Sequence, residues 1–229
     1  EDLGDLLLLP ALNPASVDGH YQRAFEVLAK MAVVDSGRTG LGKYDEPLLS
    51  EELGRFQEWF VQGLLGYMPT ATEQAQLQQF FVQLIDSALE QPRVLVHRDF
   101  HSRNLMLVSH GELAVIDFQD AVVGPVTYDL VSLLRDCYIH WPAAQVQEWA
   151  LLRTRGLLAD TDDALFLRWL DWMGLQRHIK VLGTFARLYL RDGKAAYLDD
   201  LPLVLHYVLE IVDKYAGEAP AFADFKSWF

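Results

Sequence analysis

Basic residues are scarce in this chain. Only 19 Lys and Arg stand against 32 Asp and Glu, for a formal net charge of −13 over 229 residues. That balance argues against a nucleic-acid partner, because phosphate backbones are bound through basic patches. Cysteine is almost absent. Cys137 alone cannot form an internal disulfide and fits a reducing compartment. Its apolar helical surroundings make it a buried, unreactive thiol. No apolar run approaches the length of a membrane span, and Leu6 to Leu9 is stopped by Pro10. There is no signal-peptide pattern, internal repeat or low-complexity tract. These exclusions leave a cytoplasmic protein with no membrane partner.

What is present is apolar content, 51% of the chain, enough to bury a substantial core in one large domain or two small ones. Most of it has helical spacing. Gly19 to about Val34 places Ala24, Val27, Leu28 and Met31 on one face. Ser50 is the expected cap of a helix running to about Leu65, with Glu51 and Glu52 in its first turn. Thr72 is the expected cap of the next, which ends near Pro92. Helical spacing resumes over Tyr128 to Ile139, 143–155, 162–192 with breaks expected at Gly174 or Gly183, and 202–215. Ala221 to Phe229 is short and aromatic-rich. Between the helices, Arg93 to His97, Leu105 to Val108 and Leu113 to Asp117 have strand character. Ser109-His110-Gly111-Glu112 forms a turn between the last two, and Gly124-Pro125 closes the region. The fold class is α+β, mostly α: a helical body carrying a small β-hairpin.

The chemistry gathers at that hairpin. His97-Arg98-Asp99-Phe100-His101-Ser102-Arg103-Asn104 is followed by Val115-Ile116-Asp117-Phe118. Phosphoryl transfer from ATP needs a carboxylate that addresses the attacking hydroxyl and oxygen ligands that hold Mg²⁺ on the phosphates. Asp99 suits the first task. Asn104 and Asp117 suit the second, offering only hard oxygen donors.

The run His97-x-Asp99-x-His101-x-x-Asn104, then Ile116-Asp117-Phe118, then Gly124-Pro125-x-x-Tyr128-Asp129-Leu130 resembles the aminoglycoside phosphotransferase superfamily, the choline-kinase-like group. Within it, Val96 to Met106, Asp117 to Tyr138 and Gly174 to Gly183 resemble the anomeric N-acetylmuramate/N-acetylglucosamine kinases of bacterial peptidoglycan recycling. The resemblance implies a protein-kinase-like C-terminal lobe over residues 6–229, with Glu1 to Asp5 as the interlobe hinge and no N-terminal lobe. Glu1, Asp2 and Leu3 would offer backbone groups to the nucleotide. It implies ATP and Mg²⁺ as cofactors and transfer of the γ-phosphoryl to the C1 hydroxyl of an amino sugar. The lobe that covers the phosphates is expected to be missing, so these 229 residues alone are expected not to turn over ATP. Self-association through the surface facing that lobe, near Leu6 to Leu9, is the further expectation.

By the same resemblance Asp99 is the base, Asn104 and Asp117 are metal ligands, and His97, Arg98, His101 and Asp129 support the loop. Arg98 replaces a small residue, with Asp117 or another carboxylate as its expected partner. Gln119 replaces a glycine. Arg103 faces phosphate, substrate or solvent, and Asp120 faces substrate hydroxyls or solvent. Trp169 and Trp172 share a helix face, as do Arg177 and Lys180. Trp172 could stack on a sugar and the cationic pair could meet a carboxylate, but core packing and a solvated face are the plainer readings. The rivals to an amino-sugar kinase are an aminoglycoside kinase, favoured by the acidic charge, and a binding lobe without catalysis.

Overall fold

A computed structural model describes residues 6–35, 37, 40–108, 112–154, 158 and 160–229. In chain order the elements are α1 (Val17–Ala32), α2 (Glu46–Arg55), α3 (Ala71–Leu89), β1 (Arg93–Val96), β2 (Leu105–Leu107), β3 (Leu113–Val115), β4 (Val122–Pro125), α4 (Tyr128–Leu134), α5 (Ala143–Thr154), α6 (Asp163–Asp192), α7 (Leu201–Tyr215) and α8 (Pro220–Trp228). The fold is α+β and mostly α. No helix among the described residues is long and apolar enough to cross a membrane. The chain divides into two units, 1–44 with 91–170, and 45–90 with 171–229.

Among the described residues, the first unit carries the four strands. They form two antiparallel pairs. β2 pairs with β3, Leu105 opposite Val115 and Leu107 opposite Leu113. β1 pairs with β4, Val96 opposite Val122 and Arg93 opposite Pro125. The sequence predicts no strand at β4, because Gly124-Pro125 looks like an ending. Pro125 is tolerated as the last residue of β4, beyond the bridge at Val123, and Gly124 is required there: a Cβ would lie 2.9 Å from Cβ of Tyr44. The 42–44 segment runs beside β4, with the Val123 N–H donating to the Gly42 carbonyl at 2.8 Å and the Tyr44 N–H to the Val123 carbonyl at 2.9 Å.

The N-terminal segment is stitched to the hairpin. Leu8 N–H donates to the Leu105 carbonyl at 2.7 Å, and Leu107 N–H to the Leu6 carbonyl at 2.8 Å. Leu8 is fully buried. The bare apolar surface expected over Leu6 to Leu9 is therefore corrected: the backbone is paired, and only Leu6 is largely exposed. The core of this unit surrounds Tyr21 on α1. Its hydroxyl donates to the Leu133 carbonyl at 3.1 Å and accepts from Trp141 Nε1 at 2.9 Å. That satisfies a polar group that would otherwise cost about 1–3 kcal/mol to bury.

In the second unit α2 begins earlier than expected. Its cap is Asp45, whose Oδ1 accepts from the Leu48 N–H, and Pro47 sits in the first turn. Ser50 is inside the helix. Glu52 is not a first-turn acid on the surface. It is completely buried, with Lys180 Nζ 3.2 Å from Oε1 and Gln176 Nε2 3.5 Å from Oε2. The chain continues as a π-helical stretch over Phe56–Leu64. α3 is capped by Thr70, not Thr72, in a reciprocal box with Glu73. α6 passes Gly174 and Gly183 unbroken. A Cβ at Gly183 would stand 2.4 Å from the carbonyl carbon of Arg55, so backbone meets backbone there. α8 packs on α3 through Phe225 and Phe80, stacked at 4.3 Å.

Candidate active site

The site begins where β1 delivers the chain to His97. Arg98, next along, has φ 75°, a left-handed conformation costing an L-residue with a Cβ about 1–2 kcal/mol. Asp129 in the first turn of α4 holds it there. Its two carboxylate oxygens accept the backbone N–H groups of His97 at 2.6 Å and Arg98 at 3.0 Å. The Arg98 guanidinium donates from Nη1 to the Asp120 carbonyl at 3.4 Å and lies 5.6 Å from the centre of the Tyr44 ring. A backbone carbonyl and an aromatic face are thus two of the partners of this guanidinium, and a carboxylate partner stays an expectation.

Asp99 follows, half-buried. Its N–H donates to His97 Nδ1 at 3.3 Å, which assigns the ring proton to Nε2. Burial lowers the His97 pKa from its ordinary value, against opposing pulls from Asp99, the Ile116 backbone and Asp117. A neutral imidazole suits a brace that accepts a hydrogen bond.

The loop then folds back on itself. The Asn104 amide donates from Nδ2 to the Asp99 carbonyl at 3.0 Å, and Asn104 N–H to the His101 carbonyl at 2.9 Å. Buried Asp136 anchors the middle: its Oδ2 accepts the Ser102 N–H at 2.9 Å and the Ser102 hydroxyl at 2.5 Å, and its Oδ1 accepts the Tyr138 N–H at 3.1 Å. Arg103 is exposed, with its guanidinium carbon 3.5 Å from the centre of the Tyr138 ring. The His101 ring meets the same tyrosine edge-on at 5.4 Å.

The far side is closed by the residues that follow β3. Ile116 N–H donates to the Asn104 carbonyl at 3.1 Å, setting Asp117 beside Asn104. Asp117 has φ 68° and is exposed, with Gln119 Nε2 donating to its Oδ1 at 2.8 Å. So Asp99, Asn104 and Asp117 stand together, Arg98 and Asp117 hold left-handed backbone, Asp117 is exposed and Asp99 is half-buried. Strain of this kind persists where neighbours over-determine it, and concentrates at functional sites.

The remaining expected site residues fall elsewhere. Asp120 is exposed near the loop. Trp172 packs against Phe222 at 4.7 Å and Tyr215 at 5.8 Å, as core. Trp169 and Arg177 are buried, and Lys180 pairs with Glu52, so neither a solvated cationic face nor an open cationic pair is seen. Glu1, Asp2 and Leu3 lie outside the described residues, as does the turn at 109–111. Asp136, Tyr138 and Tyr44 went unnoticed in the sequence. Asp136 had a signal: an acid after the apolar run of α4, seven residues beyond Asp129.

Comparison with known proteins follows the same lines. A family model described as "Phosphotransferase enzyme family" matches residues 1–170. An N-acetylmuramate/N-acetylglucosamine kinase of Neisseria meningitidis serogroup B is 41% identical over 97% of this chain and 69% of its own. One of Pseudomonas putida is 40% identical over 97% of this chain and 66% of its own. The chain thus spans about two thirds of the length of these curated relatives. Among solved structures, a thermostable mutant of aminoglycoside phosphotransferase APH(4)-Ia in its apo form superposes with a TM-score of 0.58 at 22% identity, covering 95% of this chain and 72% of that one. That likeness speaks to the fold.

Proposed function

The chain belongs to the phosphotransferase enzyme family, and from that premise we propose that it carries the acceptor-side catalytic residues of an ATP-dependent amino-sugar kinase. The reaction is transfer of the γ-phosphoryl to the anomeric C1 hydroxyl of N-acetylmuramate or N-acetylglucosamine. The relatives of that name at 40–41% identity support the substrate class. On this reading residues 6–229 are a C-terminal lobe and 1–5 its hinge.

One observation carries the chemistry: Asn104 is bonded at once to the Asp99 carbonyl through its side chain and to Ile116 N–H through its backbone. The base and the two oxygen ligands therefore move as one piece. Asp99 accepts the proton of the anomeric hydroxyl. That hydroxyl is more acidic than an ordinary alcohol, so Asp99 contributes mainly by fixing its direction. Asn104 and Asp117 fit Mg²⁺ by donor chemistry, an amide oxygen and a carboxylate with no soft ligand nearby. When bound with ATP, the ion would screen the phosphate charge. Asp129 and Asp136 position the loop and touch neither reactant. Cys137, buried and in no disulfide, fits a reducing cytoplasm.

The test is a substrate panel. The full-length protein with ATP and Mg²⁺ is offered N-acetylmuramate, N-acetylglucosamine and aminoglycosides, and the product is located by phosphorus–proton coupling. A phosphate on C1 of the amino sugars is expected. Phosphorylation of aminoglycosides alone, or of a hydroxyl other than C1, would overturn the reading.

A further inference from the structure

Ser102 lies between the proposed base and a proposed metal ligand. It is completely buried, and its N–H, hydroxyl and carbonyl are all engaged. The N–H donates to Asp136 Oδ2 at 2.9 Å and the hydroxyl to the same oxygen at 2.5 Å. The carbonyl accepts the Leu9 N–H at 3.1 Å. Asp136 is equally buried, and its other oxygen accepts the Tyr138 N–H at 3.1 Å. A hydroxyl and a carboxylate inside a protein each cost free energy unless they are paired. Alanine at position 102 would keep the backbone bond to Asp136, so the hydroxyl is not needed to bury the main chain. A fully satisfied buried polar network instead selects one arrangement of the residues around it.

Those residues are the reactive ones. Asp129, in the first turn of α4, holds the entry of the loop at the His97 and Arg98 N–H groups. Asp136, two residues beyond the end of α4, holds the loop again at Ser102. Asp99 lies between these two points, next to the fully buried Phe100. Beyond Ser102 the chain returns to span it. The Asn104 N–H donates to the His101 carbonyl at 2.9 Å, and the Asn104 amide to the Asp99 carbonyl at 3.0 Å. Ser102 is therefore the middle of the turn that fixes Asp99 against Asn104. Releasing its hydroxyl from Asp136 loosens that turn, and a misplacement of about 1 Å at a reacting centre costs about 100-fold in rate.

We propose that the Ser102 hydroxyl, bound to buried Asp136, is a positioning group for phosphoryl transfer: it sets the direction of Asp99 toward the acceptor hydroxyl, and so governs the rate of the chemical step and not the affinity for either substrate. This rests on the kinase reading above, in which Asp99 addresses the acceptor. Ser102 and Asp136 act through Asp99 and touch neither reactant.

The experiment is a double-mutant cycle on kcat in the full-length protein, with N-acetylglucosamine, ATP and Mg²⁺. Ser102→Ala should lower kcat about 10- to 100-fold, with KM for the sugar and the dissociation constant for ATP within about threefold of wild type. The same change made in Asp99→Asn should cost no more than about threefold further, because a group that acts through Asp99 has nothing left to direct. Asp136→Asn should lower kcat in the same sense. Amide hydrogen exchange should quicken over residues 99–104 in Ser102→Ala and stay unchanged over β1. Unfolding temperatures identify any variant that has lost its fold. If Asp136→Asn is one of these, Ser102→Ala carries the test, since it keeps the backbone bond to Asp136. Near-normal kcat in Ser102→Ala would overturn the proposal. So would an equal fold loss in the wild-type and Asp99→Asn backgrounds, which is what a merely structural role gives. A wild type inactive on the sugar, or full turnover in Asp99→Asn, would instead remove the parent reading, and the proposal with it.

Discussion

The side-chain amide of Asn104 donates to the backbone carbonyl of Asp99 at 3.0 Å, so the amide nitrogen is spent on the loop and the amide oxygen is left for a ligand. Asn104→Asp separates these tasks. The carboxylate retains oxygen donors for a cation but turns an acceptor toward the Asp99 carbonyl. We expect kcat to fall at least about tenfold, the loss of roughly 1.5 kcal/mol of loop-holding interaction, while Mg²⁺-dependent nucleotide affinity is kept. Steady-state kinetics beside nucleotide titration at several Mg²⁺ concentrations check both halves.

Asp117 offers a cleaner chemical substitution. Its φ of 68° lies where Asn is well tolerated and β-branched residues are not. Asp117→Asn should leave the unfolding temperature close to that of the wild type and weaken Mg²⁺-dependent nucleotide binding by removing the charged ligand. Asp117→Val should weaken binding and also destabilise the protein by about 1–3 kcal/mol. Equal stability of the two variants would mean the left-handed conformation is not required.

His97 makes a pH prediction. Its folded pKa is lowered from 6.5, first by burial. As pH falls through 6.5 the unfolded chain takes up the proton before the folded one does, so stability is lost on acidification and is fully present above that range. Below the folded pKa both states are protonated and the loss levels off. His97→Asn should flatten this part of the stability–pH curve between about pH 7 and 5. His20, also lowered by burial, would remain and give a residual slope. An unchanged curve in His97→Asn would show that His97 is not the buried neutral group inferred.

Two glycines should respond in opposite ways. Gly183→Ala places a Cβ 2.4 Å from backbone of Arg55, where no flexible side chain can yield. A loss of about 1–3 kcal/mol or more is expected. Gly54 in α2 has nothing within 4 Å of a Cβ, and Gly54→Ala should gain about 0.5–1 kcal/mol through helix propensity. Chemical denaturation of both variants checks the signs.

That Asp99, Asn104 and Asp117 lie on one loop and hairpin is legible from their spacing, and the hairpin from strands that alternate with turn residues. The devices that hold the trio were not. Left-handed backbone at Arg98 is invisible in a sequence, since arginine gives no hint of positive φ. The pairing of Leu6 to Leu8 with β2, and of Leu9 with Ser102, uses main chain, so four leucines read as an apolar patch. Glu52 followed Ser50 as a helix-start acid should, and only the fold shows it buried against Lys180. Other signals were present and were outcompeted: Asp45 with Pro47 against Ser50, and Thr70 with Glu73 against Thr72, each pair giving the better cap.

The proposed division of labour gives Asp99 the acceptor hydroxyl and Asn104 and Asp117 the metal. Its most direct test is Asp99→Asn in the full-length protein, with kcat on N-acetylmuramate and the dissociation constant for ATP measured side by side in Mg²⁺. The expected result is a kcat lower by about 100- to 10,000-fold, with nucleotide affinity within about twofold of wild type. Near-normal turnover, or a loss of nucleotide affinity matching the loss of rate, would contradict it.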